Sequence, residues 1–251
     1  MDIALRDRFV ALWTKYFGPA DLPLALFYTD DPAGLEVAPP ASGRRCMVGD
    51  LVKVREGQPL CAEAHSIGCM GGKRYLGFSD ELMPNFEYFL SYGIPGQMDG
   101  ERYKKSPELV REAMGRQKTF HAPARYFVAK RWDQLAEGDT PAVVVFFAKP
   151  DVLAGLFTLA NYDEVDAYGV VAPFGAGCGT IVQYPFFENA SDHPRCVLGT
   201  FDVSARPFVP ADALSFSVPM KKFATMVANM DESFLVTKSW GAVHRRIEKG
   251  A

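Results

Sequence analysis

The stretch "PAVVVFFAKPDVLAGLFTLANY", residues 141–162, decides what kind of fold this chain makes. Its first half is a continuous apolar run, the signature of a strand buried on both faces. Lys149-Pro150-Asp151 then breaks the run, and the apolar residues that follow fall at helical spacing. A strand feeding directly into a helix predicts a mixed sheet flanked by helices.

The flanking sequence extends this pattern. "IALRDRFVALWTKYF", residues 3–17, is an amphipathic helix stopped by Gly18-Pro19, and "PLALFYTD" at 23–30 is a buried strand ended by a turn. Residues 44–57 fit neither period cleanly and read as a helix with Cys46 in its first turn or as a strand. Helical patterning resumes at 79–93, with Ser79 or Asp80 as N-cap, and at 106–117, where Ser106 precedes Pro107 and Glu108. "ARYFVAKRW" at 124–132 is a strand; 195–209 reads as a strand with a turn near Ser204; "LSFSVPMKKFATMVANM" is a strand, Pro219 and a helix. The tail from Ala242 is polar, loose or helical at the surface. The expected class is α+β, one domain over 1–251, with two related halves at about 20–120 and 121–240 as an alternative organisation.

Composition narrows the function classes. Apolar residues make up 48% of the 251, charged residues 23%, and 27 basic against 30 acidic side chains give a net charge of -3, so an ordinary globular protein is expected. No basic stripe exists to neutralise a phosphate backbone, which argues against nucleic acid as a partner. Neither a signal peptide nor a long apolar run is present, so the expectation is a cytoplasmic protein with no membrane partner. Five cysteines, an odd number, argue against a disulfide framework. The oligomeric state is not legible.

Two stretches stand out. In "HSIGCMGGKRYLGF", His65 to Phe78, and in "GAGCGTIVQYPFF", 175–187, a cysteine sits among glycines, with a tyrosine six positions later. Such loops turn sharply and present backbone N–H groups to an anion or a thiolate. Gly68, Gly71, Gly72, Lys73, Gly177 and Gly179 are therefore candidates for ligand binding. A phosphate loop is excluded at Gly71-Gly72-Lys73, because the first glycine is too close and no Ser or Thr follows the lysine. Close Cys-x-x-Cys spacings are absent, which excludes a zinc ribbon or a ferredoxin pattern. Cysteines can converge here only through the fold. A cysteine nucleophile would need a base; His65 near Cys69 and His193 near Cys196 are weak pairs, and structural or exposed histidine is favoured throughout. Asp202 and Arg206 suit a surface ion pair.

With these residues in hand, the chain resembles an uncharacterised family, the ArCR group of domain-of-unknown-function proteins. The resemblance lies in Pro23-Leu24-Ala25, Cys46, Cys69-x-Gly-Gly with Leu76-Gly77-Phe78, Lys149-Pro150, Gly175-x-Gly-Cys178 and Arg206, and it spans roughly 20–230. It implies no reaction. It implies that Cys46, Cys69 and Cys178 act together and adds Arg206 to the ligand-binding candidates; Cys61 fits the family's pattern less securely and is carried as the fourth candidate metal ligand. The expected function is a cysteine-held metal or iron–sulfur cluster serving redox chemistry or ligand activation. The alternative is a metal-free module whose Gly-Cys loops hold an anionic small molecule or cofactor, and whether the protein is an enzyme stays open.

Overall fold

A computed structural model describes residues 1–250 except Ala33 and Arg44. Its strands are β1 (Leu24–Thr29), β2 (Leu60–Ala62), β3 (Tyr126–Arg131), β4 (Val143–Ala148), β5 (Val170–Val171), β6 (Cys196–Gly199) and β7 (Leu214–Pro219). They form one seven-stranded sheet in the order β2-β3-β1-β4-β7-β6-β5. Helices α1 (Ile3–Phe17), α2 (Met47–Val54), α3 (Met70–Tyr75), α4 (Phe86–Phe89), α5 (Pro107–Arg116), α6 (Pro150–Ala160), α7 (Tyr184–Asn189), α8 (Met220–Asn229) and α9 (Lys238–Lys249) surround it. The α+β reading holds.

The 141–162 stretch forms β4 and α6, with Pro150 in the first helical turn. All six residues of β4 are buried, because it lies at the centre of the sheet with helices or loops on both faces. It is antiparallel to both β1 and β7; the parallel pair is β5 with β6. Strands up to Arg131 build one side of the sheet and strands from Val143 the other.

Alternation along the strands creates two cores. Ala25, Phe27, Val128, Val144, Phe146, Phe216 and Val218 face α1, α6, α8 and α9. On that side Trp13 stacks on Phe17 at 4.2 Å, and Gly155 of α6 lets Trp240 of α9 approach so closely that a Cβ would lie 2.4 Å from its ring. The tail is therefore a packed helix, with Trp240 and Ile247 buried. Leu24, Leu26, Phe127, Val143 and Val145 face the opposite core, which also contains Met47, Val48, Leu51, Leu76, Cys178 and Ile181.

One local expectation fails. The helix expected over 79–93 shrinks to α4, because Pro84 bars a continuous helix and Asn85 takes a left-handed φ of 60°. The helix that follows Cys69 starts at once, at Met70. Residues 44–57 resolve as α2, with Cys46 at the N-cap; Arg44 lies outside the described residues. Among the described residues no helix is long and apolar enough to cross a membrane.

Candidate functional site

Three cysteine-bearing segments meet on the second core. Cys46 precedes α2, Cys69 caps α3, and Cys178 lies in the turn that opens a continuous helical stretch ending in α7. Glycine makes the meeting possible. A Cβ on Gly72 would stand 2.8 Å from Cys69 Sγ and 3.3 Å from Met47 Cβ, so α3 lies directly against the residue that follows Cys46. A Cβ on Gly177 would stand 3.0 Å from Val48, so the residue before Cys178 lies against the same turn of α2. Gly68 approaches the backbone of Gly43 and Arg45, and Gly179 approaches the Tyr75 ring. Gly71 has open space beside it.

The sulfurs sense one another. Burial raises the Cys178 thiol well above its ordinary value, and charge on Cys69 or Cys46 raises it further. Burial also raises Cys46, and Cys69 again adds to the effect. The Val48 N–H acts in the opposite direction on both thiols. The Cys46 side chain makes no capping hydrogen bond to α2. Gly72 N–H does donate to Cys69 Sγ, at 3.1 Å. Cys46 and Cys69 are half-buried, whereas Cys178 is buried.

Cys61 does not join them. It lies on β2 with its side chain in the opposite core, so the sheet separates it from the other three, and the strand's period of two is the physical reason. Cys196 shares that side, 4.0 Å from the Met226 sulfur. Among the described residues no three His, Cys, Asp or Glu side chains are grouped so as to hold a single metal ion.

The remaining candidates find other partners. Arg206 donates to the carbonyls of Pro210, Ala211 and Ala213 and borders an apolar groove of about 680 Å³ with Leu153, Phe157 and Phe201. It is a brace for its own turn. Asp202 does not take the expected surface pairing: it is buried and accepts from Tyr103 Oη at 2.9 Å, Ser204 Oγ at 2.7 Å and Gly177 N at 3.3 Å. The carboxylate thus already occupies the N–H of the Gly177 loop, where an external anion was expected. Lys73 sits in the last turn of α3. His65 lies beside Glu63, and no histidine hydrogen-bonds a cysteine sulfur among the described residues.

Sequence reasoning missed Asp202 as a site residue, Tyr75 and Gln183. The tyrosine six positions after each cysteine was the available signal. Tyr75 and Tyr184 do come together beside Cys178 and Asp202, and burial pushes the Tyr75 phenol up to about 12. Gln183 left no signal, because its position depends on a π-helical turn at Gly179–Gln183.

A family model described as uncharacterised ArCR, domain of unknown function 169, matches residues 14–229. No curated protein matches the chain. No solved structure matches it either.

Proposed function

The chain belongs to the uncharacterised ArCR family, and from that premise we propose that Cys46, Cys69 and Cys178 hold an iron–sulfur cluster serving redox chemistry or ligand activation. The supporting observation is the close approach of their three segments, Met47 against Gly72 and Val48 against Gly177. Three thiolates on a four-iron cluster leave one iron without a protein ligand, which is where a small molecule would bind.

The thiols suit this role better than that of a free nucleophile. Burial holds Cys46 and Cys178 protonated, whereas a reactive cysteine needs a lowered pKa. Metal binding displaces those protons outright. The Gly72 N–H at Cys69 Sγ is the kind of hydrogen bond that tunes cluster sulfur. Five free cysteines fit a reducing compartment, so we place the protein in the cytoplasm.

Anaerobic purification of the full chain, followed by iron and sulfide analysis and an absorption spectrum, tests the proposal. The expected preparation is brown, with iron and sulfide in comparable amounts and visible absorbance that bleaches on reduction. Iron below about a tenth of an equivalent per chain would end it, because protein-held thiolate sites retain metal far better than that.

A further inference from the structure

We infer that the groove between α6 and the ends of β4, β6 and β7 binds an amphipathic monocarboxylate, with its apolar body against the sheet and its carboxylate at Arg206. The inference does not depend on the cluster reading, because Cys46, Cys69 and Cys178 lie on the opposite face of the sheet.

Strand register builds the floor. Ala148 closes β4 directly opposite Leu214, the first residue of β7, and Leu198 of β6, opposite Phe216, points to the same side. The α6 helix borders this corner with Leu153, Ala154 and Phe157. Alanine at 148 and 154 leaves space that larger side chains would fill, a groove of about 680 Å³, which is the size of a small-molecule site. Phe157 and Phe201 line it and stay 43% and 44% exposed. Large apolar side chains left open around one concavity mark a place that an apolar group covers.

The backbone before Phe201 is strained. Thr200 has a φ of 62°, a left-handed conformation that a β-branched residue takes only where its surroundings impose it. Its N–H donates to Thr180 Oγ1 at 3.2 Å, and its own Oγ1 accepts from Ser215 N at 2.9 Å and donates to Gly199 O at 2.6 Å. Strain held this firmly is typical of ligand sites. The head group follows from charge. Arg206 donates to three backbone carbonyls, which fix the guanidinium without neutralising it, and among the described residues no carboxylate pairs with it. Those bonds use at most three of its five N–H groups, so at least two are left, and a carboxylate is the partner that suits them. Asp212, the other charged residue lining the groove, is paired with Lys149 at 3.6 Å. One net positive charge remains, which matches a monoanion. A phosphate monoester would bring its second charge up against Asp212, and an amine would meet Arg206 as a like charge.

Octanoate, octanol, octylamine and octyl phosphate share one apolar body and differ in the charge of the head. Each is titrated into the full chain and followed by calorimetry near neutral pH. Octanoate is expected to bind about tenfold more tightly than octanol, the worth of a charge-assisted hydrogen bond, and octylamine least tightly of the four. Arg206→Gln is expected to bring octanoate down to the affinity of octanol and leave octanol as it was, a split that loss of structure would not produce. Arg206 also braces its turn, so a second variant decides the matter if Arg206→Gln fails to fold. Ala154→Trp, at an exposed position of α6, fills the groove and is expected to weaken octanoate about tenfold or more, as a blocked apolar site requires. Wild-type octanoate affinity in Ala154→Trp would overturn the inference. Equal affinities for octanoate and octanol in the wild type overturn it as well, and so does tighter binding of octyl phosphate than of octanoate. Absence of binding by all four probes overturns it and assigns the groove to the apolar side chains of a protein partner.

Discussion

Cys61 and Cys196 occupy the sheet face covered by α1, α6, α8 and α9, while Cys46, Cys69 and Cys178 occupy the face covered by α2, α3 and the helical stretch that ends in α7. The first two are sealed among aliphatic and aromatic side chains, and each lies on a strand. The other three lie at helix starts, two of them half-buried. Thiols on a strand simply fill one position of the pleat. Thiols at helix starts come from backbone that is turning, and three such turns brought together by glycine give them a common neighbourhood. Chemistry is expected on the second face and packing on the first.

The sharpest way to break this contrast is to exchange serine for each cysteine. Cys46→Ser, Cys69→Ser and Cys178→Ser should each lower bound iron by about tenfold or more, because hydroxyl is a poor substitute for thiolate. Cys61→Ser and Cys196→Ser should keep iron and lose stability by about 1–3 kcal/mol, the cost of burying a hydroxyl among apolar groups. Iron analysis beside denaturant melts reads both effects. Iron loss in Cys61→Ser would erase the distinction between the faces.

Glycine offers a second comparison. Gly155→Ala would force a methyl into Trp240 and Phe17 and should cost about 1–3 kcal/mol of stability through overpacking, with iron unchanged. Gly72→Ala meets Cys69 Sγ and Ile67 at 2.8 Å, so it should lower iron as well as stability. A Gly72→Ala protein with full iron would show that the close approach of α3 is packing alone. The smallest expected effect is Tyr103→Phe, which removes one hydrogen bond to Asp202. It should cost about 1 kcal/mol in a thermal or denaturant melt and leave iron in place, since the Gly177 N–H and Ser204 still hold the carboxylate.

Much of the fold was legible locally. Ser106 and Pro107 mark the start of α5, Lys149-Pro150 marks the junction of β4 with α6, and the apolar run 143–148 marks a strand buried on both faces. These signals come from capping, proline geometry and side-chain period, which act within a few residues. The antiparallel partners of β4 were not legible, because an all-apolar strand looks the same beside either kind of neighbour. The expected helix at 79–93 failed for a reason visible in hindsight, since Pro84 sits in its middle. The polar tail misled differently: α9 buries only Trp240 and Ile247, too few apolar positions to stand out against its charges.

For the site, residue types and spacing identified Cys69 and Cys178 and the glycines beside them, since a glycine-flanked cysteine is a local pattern, whereas Cys46 came only from the family resemblance. Cys61 could be separated from them only by the sheet, because the side to which a strand residue points depends on register with its neighbours and not on its own identity. Burial of Asp202, the inward turn of Gln183 and the approach of Tyr75 to Tyr184 likewise needed the tertiary structure. Each depends on contacts between segments tens of residues apart, which no local pattern encodes. The sequence determined which groups are available for chemistry; the packing of three turns on one face of the sheet decided which of them are neighbours.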